Sequence, residues 1–389
     1  MTAAPTSEPL AAAISMHDAI VAQRARTQAE RRIAEPIVAA LTDARLNRLM
    51  LPVQLNGWAL PAVELLRVLE ALARADASVA WVIWNNTLPC LYSRKLTPDA
   101  RADLFAERNW LYANSTRPSG KASIVDGGYR VSGRWSLVSG CELAEWAMFM
   151  CLVEADGELQ FAAPGLPEMR LAFVNKREWE VIDTWHVGGM SGTGSHDVVV
   201  DDRFIETART CSPMDPSSLD EPVAYLPIVS TLAAGLSAQL LGAAQLAVDT
   251  VVAIGRSKTS PGVSADMRDR SPTQIAVAAH SAAVNAARLY VQQAVERVWR
   301  KALDKHTATT DDIAEVWAAA LHADDVARLA VDAMYAAAGT TAVYTDCPLE
   351  QLHRDVRVML QHIVAQPLCV EEVGRYKLGL DSVNPQLWT

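Results

Sequence analysis

The side chains most able to exchange a proton near neutrality are the eight histidines of this 389-residue chain. His362 closes the string RDVRVMLQH, and an imidazole there could deprotonate a phenol or amine, or protonate a departing oxygen. Taken alone, a single histidine more often satisfies a structural hydrogen bond. His186 and His196 flank a glycine-rich string, GGMSGTG at 188–194, and His196, alternating with Val198 and Val200, is expected to face solvent. The glycine string lacks the strand-turn-helix setting and spacing of a dinucleotide fingerprint, and it has no P-loop lysine. No NAD-binding domain is therefore assigned. Six cysteines, Cys90, Cys141, Cys151, Cys211, Cys347 and Cys369, show no CxxC and no regular spacing, so neither a zinc site nor a disulfide framework is expected, and a reducing cytoplasm is the simplest compartment.

These groups need elements to hold them. From about 14 to 50, and again in PAVELLRVLEALARADASVAWVIW (61–84), apolar residues recur at helical spacing, with Asp76 and Ser78 placed to start a second, buried helix. Between 110 and 212 the texture changes to short alternating segments, YRVSGRWSLVSG (129–140), EWAMFMCLVEA (145–155), MRLAFVNK (169–176) and HDVVVDDRFI (196–205), punctuated by turns such as Asp126-Gly127-Gly128. After Pro227 long Ala-rich helical stretches follow to about Gly374. The expected fold is α+β and mainly α: an N-terminal helical domain at 1–109, a small β-barrel or sandwich at 110–212, and a four-helix bundle at 213–389. The segment 223–248 carries no charge and is long enough for a membrane span, yet Pro227, Gly235, Gly242, Gln239 and Gln245 interrupt it and no basic flank accompanies it. It reads as a helix buried in a bundle or subunit interface. The formal charge, 35 basic against 45 acidic residues or −10, disfavours nucleic acid and anionic membranes as partners. The N-terminus has no basic region before its apolar run and does not read as a signal peptide.

Helices, a β domain and a helical bundle in that order resemble the acyl-CoA dehydrogenase fold. VLEALARADASVAWVIW (68–84) looks like the helix before that family's flavin-binding β domain, and DTWHVGGMSGTGSHDVVVDD (183–202) looks like its Trp, Gly and Thr-Gly-Ser strand pair. MYAAAGTTAVYTDCPLEQLHRDVRVMLQH (334–362) resembles the Gly turn and Arg-Asp helix that close the flavin site. The dehydrogenases take an α-proton with a glutamate, either near the C-terminus or before the arginine of the first bundle helix. Here those places read QHIVAQPLCVEEVGR (361–375) and VVAIGRSKTS (251–260), without the expected Glu; Glu371 and Glu372 lie later than the pattern requires. The stretch ANSTRPSGKASIVDGGYRVSGRWSLVSGC (113–141) instead resembles the reduced-flavin-dependent branch, the oxygenase components of two-component monooxygenases.

That resemblance implies an enzyme that takes reduced FMN or FAD from a separate flavin reductase by diffusion, forms a C(4a)-hydroperoxide with O2, and hydroxylates an aromatic or heteroaromatic small molecule. It implies a homotetramer, since the family builds its flavin site between subunits. Catalytic candidates are His362, Ser139, expected to donate a hydrogen bond towards flavin N5, and Asn114. Flavin contacts are expected from Trp135, Ser139, Thr193, Gly194 and Ser195, with Arg256, Lys258, Gly339 and Thr340 near the phosphate; a Trp in a small β domain packs as often in the core. Asn85 and Asn86 replace an active-site His of some members and are expected to touch substrate. Two other readings stay open: a dehydrogenase or oxidase with bound FAD, and a binding protein that kept the fold and lost the chemistry.

Overall fold

The computed structural model describes residues 7–163, 165–257 and 266–388. Six helices come first: α1 Glu8–Ser15, α2 His17–Glu30, α3 Glu35–Asp43, α4 Ala62–Ala75, α5 Ala77–Tyr92 and α6 Pro98–Leu104. The Asp76 carboxylate starts α5 by accepting from the backbone N–H groups of Ser78 and Val79 at 2.8 and 3.3 Å, which satisfies donors a helix N-terminus leaves open. Nearly all of α5 is buried, and part-exposed Trp81 and Asn85, one turn apart, form its open stripe.

Ten strands follow: β1 Tyr112–Val125, β2 Gly128–Val138, β3 Trp146–Ala155, β4 Glu158–Leu159, β5 Phe161–Ala163, β6 Leu166–Pro167, β7 Met169–Asn175, β8 Glu180–Ile182, β9 His196–Glu206 and β10 Thr210–Cys211. The main sheet runs β10-β7-β3-β1-β2-β9-β8, with β4 beside β3. Strands β1 and β3 are parallel, and the other pairs in the sheet are antiparallel. The sheet has its own core, in which Trp135 stacks on Phe149 at 4.5 Å. A Cβ at Gly120 would lie 2.0 Å from the Trp135 ring, so only glycine lets β1 pass over that indole.

The bundle comprises α7 Ile228–Ser257, α8 Ser271–Leu303, α9 Thr310–Ala338, α10 Pro348–Met359 and α11 Pro367–Lys377. The uncharged segment lies mostly in α7, which packs against α4, α8 and α9 as a buried bundle helix. Side chains meet across α7 and α8 at Gln245 and Arg288, and across α8 and α9 at Tyr290 and Glu315, so successive helices alternate in direction. Helices α7 and α9 thus run the same way, joined where Ser237 Oγ lies 2.7 Å from buried Asp324. One apolar cluster links α1, α4 and α5 to α7, α8 and α9, so the N-terminal helices and the bundle share a core. All six cysteines are buried free thiols.

Candidate functional site

The open stripe of α5 faces the end of β2 and the turn after α10. There Trp81 Nε1 lies 3.0 Å from Ser139 Oγ, Ser139 Oγ 2.8 Å from Ser195 Oγ, Ser195 Oγ 2.7 Å from Thr193 Oγ1, and Thr193 Oγ1 2.8 Å from the Met190 carbonyl. An indole N–H can only donate and a carbonyl can only accept, so both ends of this chain fix the direction of every hydroxyl between them. Trp81 donates to Ser139, Ser139 to Ser195, Ser195 to Thr193 and Thr193 to Met190. Ser139 is left with one uncommitted lone pair. The structure therefore makes it an acceptor, where the sequence led us to expect a donor.

His362 caps the short turn Ile363–Ala365, its Nδ1 accepting from Val364 N–H at 3.4 Å, which leaves the proton of the neutral ring on Nε2. Its imidazole meets Trp84 at 5.0 Å and Trp81 at 5.5 Å, edge to face in both cases. Burial, and secondarily the positive charge of Arg117, push its pKa down to about 4, so the ring is neutral at physiological pH. Asn114 donates from Nδ2 to the Asn85 carbonyl at 2.8 Å, and Asn85 donates to the Trp81 carbonyl at 3.0 Å. His362, Ser139, Asn114, Asn85, Thr193 and Ser195 thus gather around Trp81.

The loop that supplies Thr193 and Ser195 is clamped by α10. Asp355 Oδ1 accepts from Met190 N–H at 2.6 Å, and Arg354 donates to the Gly188 carbonyl. A Cβ at Gly189 would lie 2.7 Å from the Arg354 backbone, so the glycine permits this close approach. Gln351 Nε2 spans Asp355 at 3.1 Å and Asp76, the cap of α5, at 3.4 Å. Burial, and then the neighbouring Asp76 carboxylate, raise the Asp355 pKa to about 7.

Other expectations need correction. Trp135 is fully buried inside the sheet and donates to the Met150 carbonyl at 2.9 Å, so it offers no face to a flavin. Asn86, also fully buried, donates to the Asn47 carbonyl and accepts from Tyr112 N–H at 2.8 Å; its amide pins α5 to β1, away from any substrate. His196 is 3% exposed, because a two-residue period puts it on the same face as Val198 and Val200. Its Nδ1 accepts from the backbone N–H groups of Thr184 and Trp185, a structural role. Glu372 is buried and holds the C-terminal tail through Ser382, Val383, Asn384 and Trp388. Glu371 is exposed on α11. Gly194, in a left-handed turn at φ +52, completes the loop. Arg256 and Thr340 are exposed, and Gly339 has open space around it. They share the far end of the α7–α9 pair and make no contact with the Trp81 cluster. Lys258 lies outside the described residues.

Sequence reasoning missed Trp81, Trp84 and Arg117, and gave Asp355 only as part of the Arg-Asp helix, with no role of its own. Trp81 had a signal, standing one helical turn before Asn85.

A flavin suits this donor set: a flat ring with polar edges would meet the part-exposed Trp81 indole, the Ser139 lone pair, the Asn85 amide and the His362 imidazole. Residues 234–367 match the family described as acyl-CoA dehydrogenase, C-terminal domain. An indole-3-acetate monooxygenase from Acinetobacter baumannii is 28% identical over 349 residues, 90% of this chain and 88% of that one. The flavin-dependent monooxygenase oxygenase subunit HsaA from Rhodococcus jostii is 26% identical over 88% of this chain and 90% of its own. In fold, XiaF from a Streptomyces species, solved with FADH2 and glycerol, matches with TM-score 0.89 at 22% identity, over 97% of this chain and 96% of that one. The chain has the acyl-CoA dehydrogenase fold. Over most of its length it is similar to flavin-dependent monooxygenases.

Proposed function

We propose that this chain is the oxygenase component of a two-component flavin-dependent monooxygenase that hydroxylates an aromatic or heteroaromatic small molecule. The observation that carries the reading is the directed chain from Trp81 through Ser139 to Met190 beside a neutral His362. Reduced FMN or FAD, when bound, supplies the two electrons with which O2 gives one oxygen atom to the ring and one to water. Ser139 holds a lone pair ready for an N–H donor, which the central ring of a flavin carries in its reduced form and lacks when oxidised. His362 offers Nε2–H to an oxygen in the site, and Trp81 and Trp84 pack flat apolar surface around it and exclude water. Asn85 and Asn114 present amide oxygens that have no partner among the described residues. Thr193 and Ser195 act through Ser139, as positioning residues.

No carboxylate touches this cluster among the described residues, and the two glutamates nearest the dehydrogenase pattern are committed elsewhere or exposed, which disfavours the dehydrogenase reading. Arg256, Gly339 and Thr340 are left to a flavin phosphate, reached across a subunit boundary in a homotetramer. A separate reductase delivers the flavin by diffusion, in a reducing cytoplasm that keeps the cysteines as thiols.

The test is to mix anaerobically reduced FMN or FAD with the protein and a panel of aromatic substrates, admit oxygen, and measure hydroxylated product per flavin oxidised. Product above the free-flavin background is expected. Flavin reoxidation at the rate of free flavin, with no product, would sink the proposal. Tightly bound FAD bleached by an acyl-CoA would establish the dehydrogenase instead.

A further inference from the structure

The ladder between β1 and β3 pairs Tyr112 with Trp146 through Ser115 with Phe149, then resumes at Gly120 with Cys151. Strand β1 therefore carries extra residues across this break, and Thr116, Arg117, Pro118 and Ser119 bulge out, exposed. Bulges of this kind re-aim side chains next to sites, and Pro118, lacking an N–H, cannot rejoin the ladder.

Arg117 makes no hydrogen bond, ion pair or ring stack among the described residues, although the chain carries ten more acidic than basic residues. Many surface arginines have carboxylate partners, Arg74 with Asp249, Arg134 with Asp197 and Arg357 with Asp332, whereas Arg117, like Arg203 and Arg256, has none among the described residues. The bulge begins two residues after Asn114, whose amide donates to the Asn85 carbonyl on α5, so Arg117 leaves β1 beside the Trp81 cluster, and its charge acts on the His362 imidazole. The cluster around that imidazole is otherwise made of neutral groups: two indoles, two amides and three hydroxyls.

We propose that Arg117 is a ligand-binding residue that takes the carboxylate arm of an anionic aromatic substrate, while the aromatic ring lies against Trp81 beside His362. The proposal rests on the oxygenase reading and narrows its substrate class to aryl carboxylic acids. A guanidinium presents a planar fork that matches a carboxylate at two points, and a neutral aromatic would leave that fork without a partner. A flavin offers anionic groups too, its phosphate and its reduced ring, and the experiment must separate these from the substrate.

Phenylacetate and naphthalene-2-acetate, each beside its neutral amide, are titrated into the full chain with FMN present, following tryptophan fluorescence or heat. Wild type is expected to bind the acids more tightly than the amides. Arg117→Gln should weaken the acids by about 10- to 100-fold while leaving the amides within about twofold, and Arg117→Lys should recover part of the loss. Equal loss for acid and amide, no loss for either, or no preference in wild type overturns the proposal. Weaker binding of reduced FMN with an unchanged acid-to-amide ratio also overturns it, by giving the guanidinium to the flavin. Because these are binding measurements, they stand apart from turnover: a wild type that prefers the acids but never forms product would sink the oxygenase reading and leave the anion site in place.

Discussion

At the ring end of the site, Ser139, Ser195 and Thr193 are buried, their hydroxyls are directed from both ends, and α10 clamps the loop that bears two of them. At the bundle end, Arg256 and Thr340 are exposed, Gly339 has open space around it, and none of the three has a side-chain partner among the described residues. One end is finished by the fold of a single chain, and the other is left open among the described residues. Preorganisation of this kind belongs where geometry must be exact to a fraction of an ångström, whereas an ionic contact to a phosphate tolerates a mobile arginine. Under the proposed function, chemistry belongs to the ring end and affinity to the bundle end.

The largest expected effect breaks the ring end at its most reactive group. Replacing His362 with Ala removes the only imidazole in the cluster without touching the hydroxyl chain. Product formed per flavin oxidised should fall on the order of 10²-fold, the lost electrons appearing as hydrogen peroxide, while reduced flavin binds nearly as before. Unchanged coupling would remove His362 from the mechanism and leave both ends of the site as binding surface alone.

A smaller effect is expected from Asp355, which fastens the ring end without belonging to it. Asp355→Asn keeps a carbonyl oxygen for Met190 N–H but cannot ionise. Burial raises the folded-state pKa from 3.8 to about 7. The stabilisation held by the protonated acid is therefore complete below the unfolded value and is lost as pH rises through about 7. His362, with its pKa lowered from 6.5 to about 4, acts in the opposite sense, losing stability as pH falls through that window, so the wild-type profile alone mixes the two. The difference between wild type and Asp355→Asn removes the His362 contribution and reports the acid together with the buried Asp76 carboxylate it faces. From pH 4 to 7 the variant should gain on wild type by on the order of 2 kcal/mol, read from melting temperatures. A constant difference across that range would mean that Asp355 is ionised throughout.

The elements were legible because they rest on local patterns. Asp76 and Ser78 signalled the start of α5, and the alternating runs at 129–140, 145–155, 169–176 and 196–205 correspond to β2, β3, β7 and β9. Which way a side chain faces was legible only where the period was unbroken. Strand β2 shifts register against β9 between Val131 and Gly133 and again between Trp135 and Val138, and Leu137 sits at φ +61, so counting in twos could not show that Trp135 points inward. Asn85 and Asn86 are neighbours on a helix buried on nearly every side, and a step of about 100° sends one to the site and the other into the core. The role of Arg117 depends on the length of a bulge, which leaves no trace in local sequence; the Arg354-Asp355 pair was visible through its resemblance, but its contact with Met190 across 165 residues was not.

The smallest effect tests the bundle end. If Arg256 serves a flavin bound mainly by another copy of the chain, Arg256→Gln should weaken reduced-flavin binding by only about three- to tenfold, as expected for an exposed charge, and should leave product per flavin oxidised unchanged at saturating flavin. The loss should depend on assembly, so that diluting wild type until its subunits separate erases the difference from the variant. That coupling to concentration distinguishes a contact made between chains from one made within a chain, because an intrachain arginine would contribute equally at every dilution. A variant that lost coupling efficiency as well as affinity would place Arg256 among the reacting groups and abolish the division between the two ends.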